Sequence, residues 1–192
     1  MHPTKSSMGA DIRARSVELL NRHLAATIDL RAQVKHAHWN VRGPNFIATH
    51  ELFDKIACRV DAYSDTIAER AAALGGVARG TLQAAADRSF LAPYRLEVAD
   101  EQSHLFALSS AIASLGASVH EAIAKAAMIG DAVTADVFTE ICRGLDSDLW
   151  LLESHSPPQT QGLAPAALAV VRTERAIDGD HTNHAIHPKR PP

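Results

Sequence analysis

FIATHELFDKIACRVDAYSDTIAERAAAL, residues 46–74, decides the fold. It holds no Gly and no Pro, so nothing in it interrupts a helix. His50 and Asp54 stand four apart, as do Asp65 and Glu69. Pairs at that spacing are neighbours on a helix face. Asp54 and Asp65 are close to three whole turns apart, so all four side chains fall on one side of one helix. One histidine and three carboxylates make a poor apolar face and a workable set of metal ligands.

The spacing also says how such ligands can be used. From Asp54 to Asp65 the helix rises about 16 Å. Metal–ligand bonds are only about 2 Å long, so the two pairs cannot grip one ion within one chain. Laid antiparallel across a second copy of itself, the helix solves this. Positions 50 and 69 add to 119, and so do 54 and 65. A two-fold axis near Arg59 and Val60 therefore sets His50 opposite the partner's Glu69, and Asp54 opposite the partner's Asp65. An isologous interface repeats each contact, so one register builds two equivalent sites.

The residues just upstream add a donor. KHAHWNVRGP, residues 35–44, closes one helical pattern, and Gly43-Pro44 is a strong breaker. His38 then sits at the end of the first helix, facing the start of the second, where His50 lies one turn in. It is a natural third ligand from the same chain.

KHAHWNVRGPNFIATHELFD followed by DTIAER resembles the signature of the Dps family, the DNA-protecting mini-ferritins of starved bacterial cells. The likeness runs from about Leu19 to Glu153. It implies an all-α, ferritin-like four-helix subunit with a short helix in the link between the second and third long helices, assembling into a hollow dodecameric shell. It implies a ferroxidase that oxidises Fe(II), preferentially with hydrogen peroxide, and stores Fe(III) in the cavity. Its ligands fall on His38, His50 and Asp54 of one subunit and on Asp65 and Glu69 of a two-fold neighbour, with at most two irons per site. Trp39 matches the family tryptophan beside the iron, which quenches oxidising intermediates.

Composition fits this expectation. A chain of 192 residues with 46% hydrophobic and 5% aromatic residues points to Ala- and Leu-rich helix packing in one domain. A net charge of −3 neither requires nor excludes nucleic acid. Cys58 and Cys142 sit in helical patterns and read as small buried or half-buried side chains. In the two-fold register Cys58 faces the partner's Asp61 rather than another thiol, so a cytoplasmic, reducing location is expected. The N-terminus lacks the apolar core of a signal peptide. No run approaches the apolar length of a membrane span.

Along the chain, residues 1–10 read as a short, weakly basic mobile arm, residues 11–156 as the four-helix domain, and residues 157–192 as an extension. The first helix is expected over Asp11–His38, with His23 and His36 as structural or surface residues. Gly75-Gly76 stops the second helix, and the connector to Pro93 carries a short helix at Thr81–Ala86. The third long helix is expected over Tyr94–Ala127. Its Glu101-x-x-His104 has the form of half a ferritin ligand set. No second copy occurs, so an exposed pair at the helix start is the reading adopted. Asp131 is the expected N-cap of the last helix, which runs to about Glu153.

In a three-fold contact Asp131, Asp136 and Glu140 would form carboxylate rings that draw Fe(II) inward, at the place where the resemblance puts acidic entry pores. In the extension, Pro165–Ala176 has the pattern of a further short helix, and His181, His184 and His187 read as a solvated tail. DNA is left open as a partner, through the arm or the tail, because the arm carries only Lys5, Arg13 and Arg15 and the tail is nearly neutral. The alternative is a mainly nucleoid-compacting protein with little ferroxidase activity.

Overall fold

The computed structural model describes residues 1–155. The extension, with its expected short helix and its three histidines, lies outside the described residues. Five helices follow in order: α1 (Ala10–Asn40), α2 (Phe46–Ala73), α3 (Leu82–Arg88), α4 (Glu101–Ile129) and α5 (Ala132–Glu153). Four long helices form the bundle and α3 lies in the crossover. Cross-helix pairs fix the directions. Arg31–Asp61 and Lys35–Asp54 run α1 against α2. Arg59–Asp148 and Arg70–Asp131 run α2 against α5. His23–Ser118 and the His36–Tyr94–His104 ring cluster run α1 against α4. Hence α2 and α4 are parallel, which is why the chain needs a long crossover between them.

The core is aliphatic with few rings. Leu20, Leu24, Leu30 and Val34 from α1 meet Phe53, Ile56, Val60 and Ile67 from α2, all fully or almost fully buried. Leu108, Ile112 and Leu115 of α4 and Phe138, Ile141 and Leu145 of α5 complete it. By length and composition α4 would suffice to cross a membrane, with a window of mean hydropathy 1.2. Its buried stripe, however, belongs to this core.

The helix ends follow local chemistry. Asp131 caps α5, accepting from the Thr134 N–H at 3.0 Å. It follows Gly130, whose φ of +91° an L side chain rarely adopts. The third long helix begins later than the sequence pattern predicts. Tyr94 to Asp100 is irregular, and Asp100 caps α4 by accepting from the Ser103 N–H at 2.9 Å. The cap and a short bridge between Arg42 and Asp100 win over the apolar spacing of that segment. Cys58 is exposed in the single chain, not buried as expected, whereas Cys142 is half-buried. The N-terminal arm, expected to be mobile, carries two anchors. The His2 N–H donates to the Gly75 carbonyl at 2.6 Å, and the Met8 carbonyl accepts from the Arg13 guanidinium of α1 at 3.1 Å.

Candidate metal centre

The last turn of α1 and the first turn of α2 meet at two histidines. His38 Nδ1 lies 2.9 Å from the His50 carbonyl, and His50 Nδ1 lies 2.8 Å from the His38 carbonyl. A carbonyl only accepts, so each Nδ1 carries the proton and donates. In the neutral tautomer that this bonding selects, the lone pair is on Nε2, the atom that can bind a metal. The rings stack with centroids 3.7 Å apart and planes 21° apart. This is the outer-shell arrangement that fixes the tautomer and orientation of metal-binding histidines, supplied here by the helix backbone itself.

Asp54 stands beside them, with Oδ1 3.9 Å from His38 Nε2. The Lys35 ammonium donates to the same Oδ1 at 2.8 Å and lies 5.8 Å from the centre of the Trp39 ring. The Lys35 hydrogen bond and charge hold the Asp54 carboxyl below its ordinary value. This favours the carboxylate form, with Oδ1 engaged by Lys35. Lys35 was missed in the sequence. Its only signal there is a place one turn before His38 on the same face of α1.

The other donors stand apart. Asp65 and Glu69 are exposed, three turns further along α2. Within one chain the structure brings His38, His50 and Asp54 together and leaves Asp65 and Glu69 at the far end. Among the described residues no three His, Cys, Asp or Glu side chains form a set able to hold an ion. Around the histidines, Phe46 packs 5.1 Å from His50, and Trp39 and Ile47 are 70% and 65% exposed.

Two expectations are corrected. Glu101 and His104 are not an exposed pair; both are buried. The Tyr94 hydroxyl and His104 Nδ1 are hydrogen-bonded at 2.6 Å, and Glu101 is engaged by Asn45 and Thr49. Asp131 does not face solvent as a pore carboxylate must. It is fully buried beneath Arg70, with its other oxygen taken by the Thr134 hydroxyl at 2.6 Å. Asp136 and Glu140 are exposed on α5.

The geometry agrees with relatives of known kind. The ferritin-like domain family matches residues 17–156. The DNA protection during starvation protein of Agrobacterium fabrum is 40% identical over 154 residues, covering 80% of this chain and 95% of the relative. That of Mycolicibacterium smegmatis is 33% identical over 147 residues, covering 76% and 80%. Among solved structures, a Mycobacterium smegmatis Dps superposes with a TM-score of 0.77 at 30% identity, covering 81% of this chain and 93% of that one. Dps from Microbacterium arborescens, in a high-iron form, gives 0.72 at 33% identity, covering 79% and 97%. A four-helix bundle with a paired-histidine hairpin, matched along most of its length by these proteins, belongs to the Dps family of ferritin-like proteins.

Proposed function

We propose that this protein takes up Fe(II), oxidises it at sites shared between two-fold related subunits, and keeps the Fe(III) inside a twelve-subunit shell. The observation that carries the reading is the reciprocal His38–His50 bonding, which ties both Nδ1 atoms to backbone carbonyls and keeps the Nε2 atoms for a metal, with Asp54 beside His38. Imidazole and carboxylate donors with open positions suit iron. The partner's Asp65 and Glu69 complete the set in the antiparallel register. That register also seats the exposed Phe46 and Ile47 against the partner's Ala73 and Ala72, which are small and exposed. The Dps of Microbacterium arborescens in a high-iron form supports iron as the substrate.

Hydrogen peroxide is the proposed oxidant. Two Fe(II) give one electron each, the O–O bond breaks, and both oxygens leave as hydroxide. No single electron reaches the peroxide alone, so no hydroxyl radical is released. Trp39, largely exposed beside the site, is placed to take up a stray oxidising equivalent. Asp136 and Glu140 are the proposed entry carboxylates. Iron removal of this kind protects DNA in the bacterial cytoplasm, and nucleoid association through the arm or tail is part of the proposal.

Stopped-flow oxidation of Fe(II) with peroxide, compared with oxygen, tests it. His50→Ala and Asp54→Ala are expected to lose the fast phase while the assembled shell remains. Wild-type rates in both variants would remove the site.

A further inference from the structure

Glu101 opens α4 with 4% of its surface exposed. Burying a carboxylate is costly unless something answers its charge. The answer here is the start of α2. Glu101 Oε2 accepts from the Asn45 N–H at 3.2 Å, and Oε1 accepts from the Thr49 hydroxyl at 2.9 Å. The first amides of a helix lack partners and carry partial positive charge, so a carboxylate there is favoured. Asn45 holds the N-cap position of α2, but its side chain makes no capping bond. The carboxylate from α4 instead satisfies the Asn45 N–H and the Thr49 hydroxyl, tying down that end from outside.

The same end of α4 also clasps the turn through backbone. The Glu101 N–H donates to the Arg42 carbonyl at 3.1 Å, and the Arg42 N–H donates to the Ala99 carbonyl at 2.9 Å. No slack is left, because a Cβ on Gly43 would fall on the Glu101 side chain, 2.8 Å from its Cβ. The clasped residues, Arg42 to Asn45, are the link between the helix end bearing His38 and the helix start bearing His50. Thr49 immediately precedes His50.

We propose that Glu101 is a positioning residue for the iron site: by capping α2 from another helix it fixes the α1–α2 turn at the offset where His38 and His50 exchange carbonyl bonds. The proposal rests on the iron-site reading above. Glu101 touches no donor atom. It acts through the turn, by holding two helix ends at the separation their reciprocal bonds need. Loss of the clasp lets the first turn of α2 fray, and one imidazole then swings off its carbonyl.

Co(II) binding to the assembled protein tests this, read by the visible spectrum of histidine-bound Co(II). Glu101→Gln keeps the shape but turns an NH2 toward groups that donate. Thr49→Val removes one donor, and Thr49→Ser keeps it. Gly43→Ala displaces the carboxylate without altering it. Glu101→Gln, Thr49→Val and Gly43→Ala are expected to weaken Co(II) about 10- to 100-fold, the range for outer-shell partners of metal ligands. Their spectra should shift, shell size should stay unchanged, and Thr49→Ser should match wild type. Wild-type affinity and spectrum in Glu101→Gln and Thr49→Val overturn the proposal. So does weakening that merely follows melting temperature, with Thr49→Ser affected as much as Thr49→Val. A wild-type protein with no histidine-bound Co(II) spectrum refutes the iron-site reading itself, and Glu101's role with it.

Discussion

Asp131→Ala separates a cap from a pore. In the structure Asp131 holds together the start of α5 and the end of α2: one oxygen takes the Thr134 N–H and Arg70, the other the Thr134 hydroxyl. Losing an N-cap carboxylate costs about 1 kcal/mol. Removing one member of a buried ion pair costs about 3–5 kcal/mol when the survivor is fully buried. Arg70 keeps 17% of its side chain exposed and can partly rehydrate, so the low end applies. The expected loss is therefore roughly 4 kcal/mol in total, from the cap and the orphaned guanidinium together. At about 2–4 °C per kcal/mol for a domain of this size, the melting temperature should fall roughly 8–16 °C.

Asp131→Asn keeps a good capping group and should fall by less. Burial alone would raise the Asp131 carboxyl, but the Thr134 hydroxyl and amide, then Arg70, bring it below the ordinary value. A depressed folded-state pKa gives stability that is present above the unfolded value and lost as pH falls through the folded one. Acid unfolding should thus be steeper in wild type than in Asp131→Asn. The assay is thermal and urea unfolding at neutral and acidic pH, beside Fe(II) uptake by the intact shell. Unchanged stability with slowed uptake would refute the cap and restore the pore.

Further outcomes follow from other contacts. Lys35→Met frees Asp54 Oδ1, so Fe(II) should bind tighter at neutral pH; the Asp54 carboxyl should return upward, so binding should fail at a higher pH on acidification, as read by titration calorimetry. Phe53→Ala, deleting a fully buried ring, should cost about 3–5 kcal/mol in urea unfolding. Cys58, exposed in the single chain, should react with a thiol reagent in dissociated subunits and much more slowly in the assembled shell. Plasmid gel shifts at low salt, with and without residues 1–10 and 178–192, decide DNA binding: a shift lost with either deletion assigns the terminus, and no shift at all removes DNA as a direct partner.

Features that depend on nearest neighbours were legible from the residues. The unbroken run after Phe46, the stop at Gly43-Pro44 and the cap at Asp131 each rest on local chemistry, and the structure has all three. The common face of His50 and Asp54 needed only helical period. What the sequence hid depends on distant partners. Tyr94 to Asp100 has helical apolar spacing, yet its hydrogen bonds go to Arg42 and His104. Glu101 looks like a solvated residue at a helix start until Thr49, 52 positions away, takes its carboxylate. Asp131 offered the same charge to a cap or a ring, and only the approach of Arg70 from α2 decides between them. Lys35 gave no signal beyond its place one turn before His38, because a charge pair between two helices leaves no period to read.

The uninterrupted span of α2 has a consequence for how this chain can vary. Under the proposed two-fold register, donors at both ends of one rod meet donors of an identical rod, so the rod serves as a ruler. A single residue inserted between Asp54 and Asp65 would turn everything beyond it by about 100° and slide it 1.5 Å. Asp65 and Glu69 would then leave the shared face at once, in both sites. Substitutions along the middle of α2 are tolerable wherever they keep helix and packing, but changes of length are not, so its residue count is held more tightly than its composition.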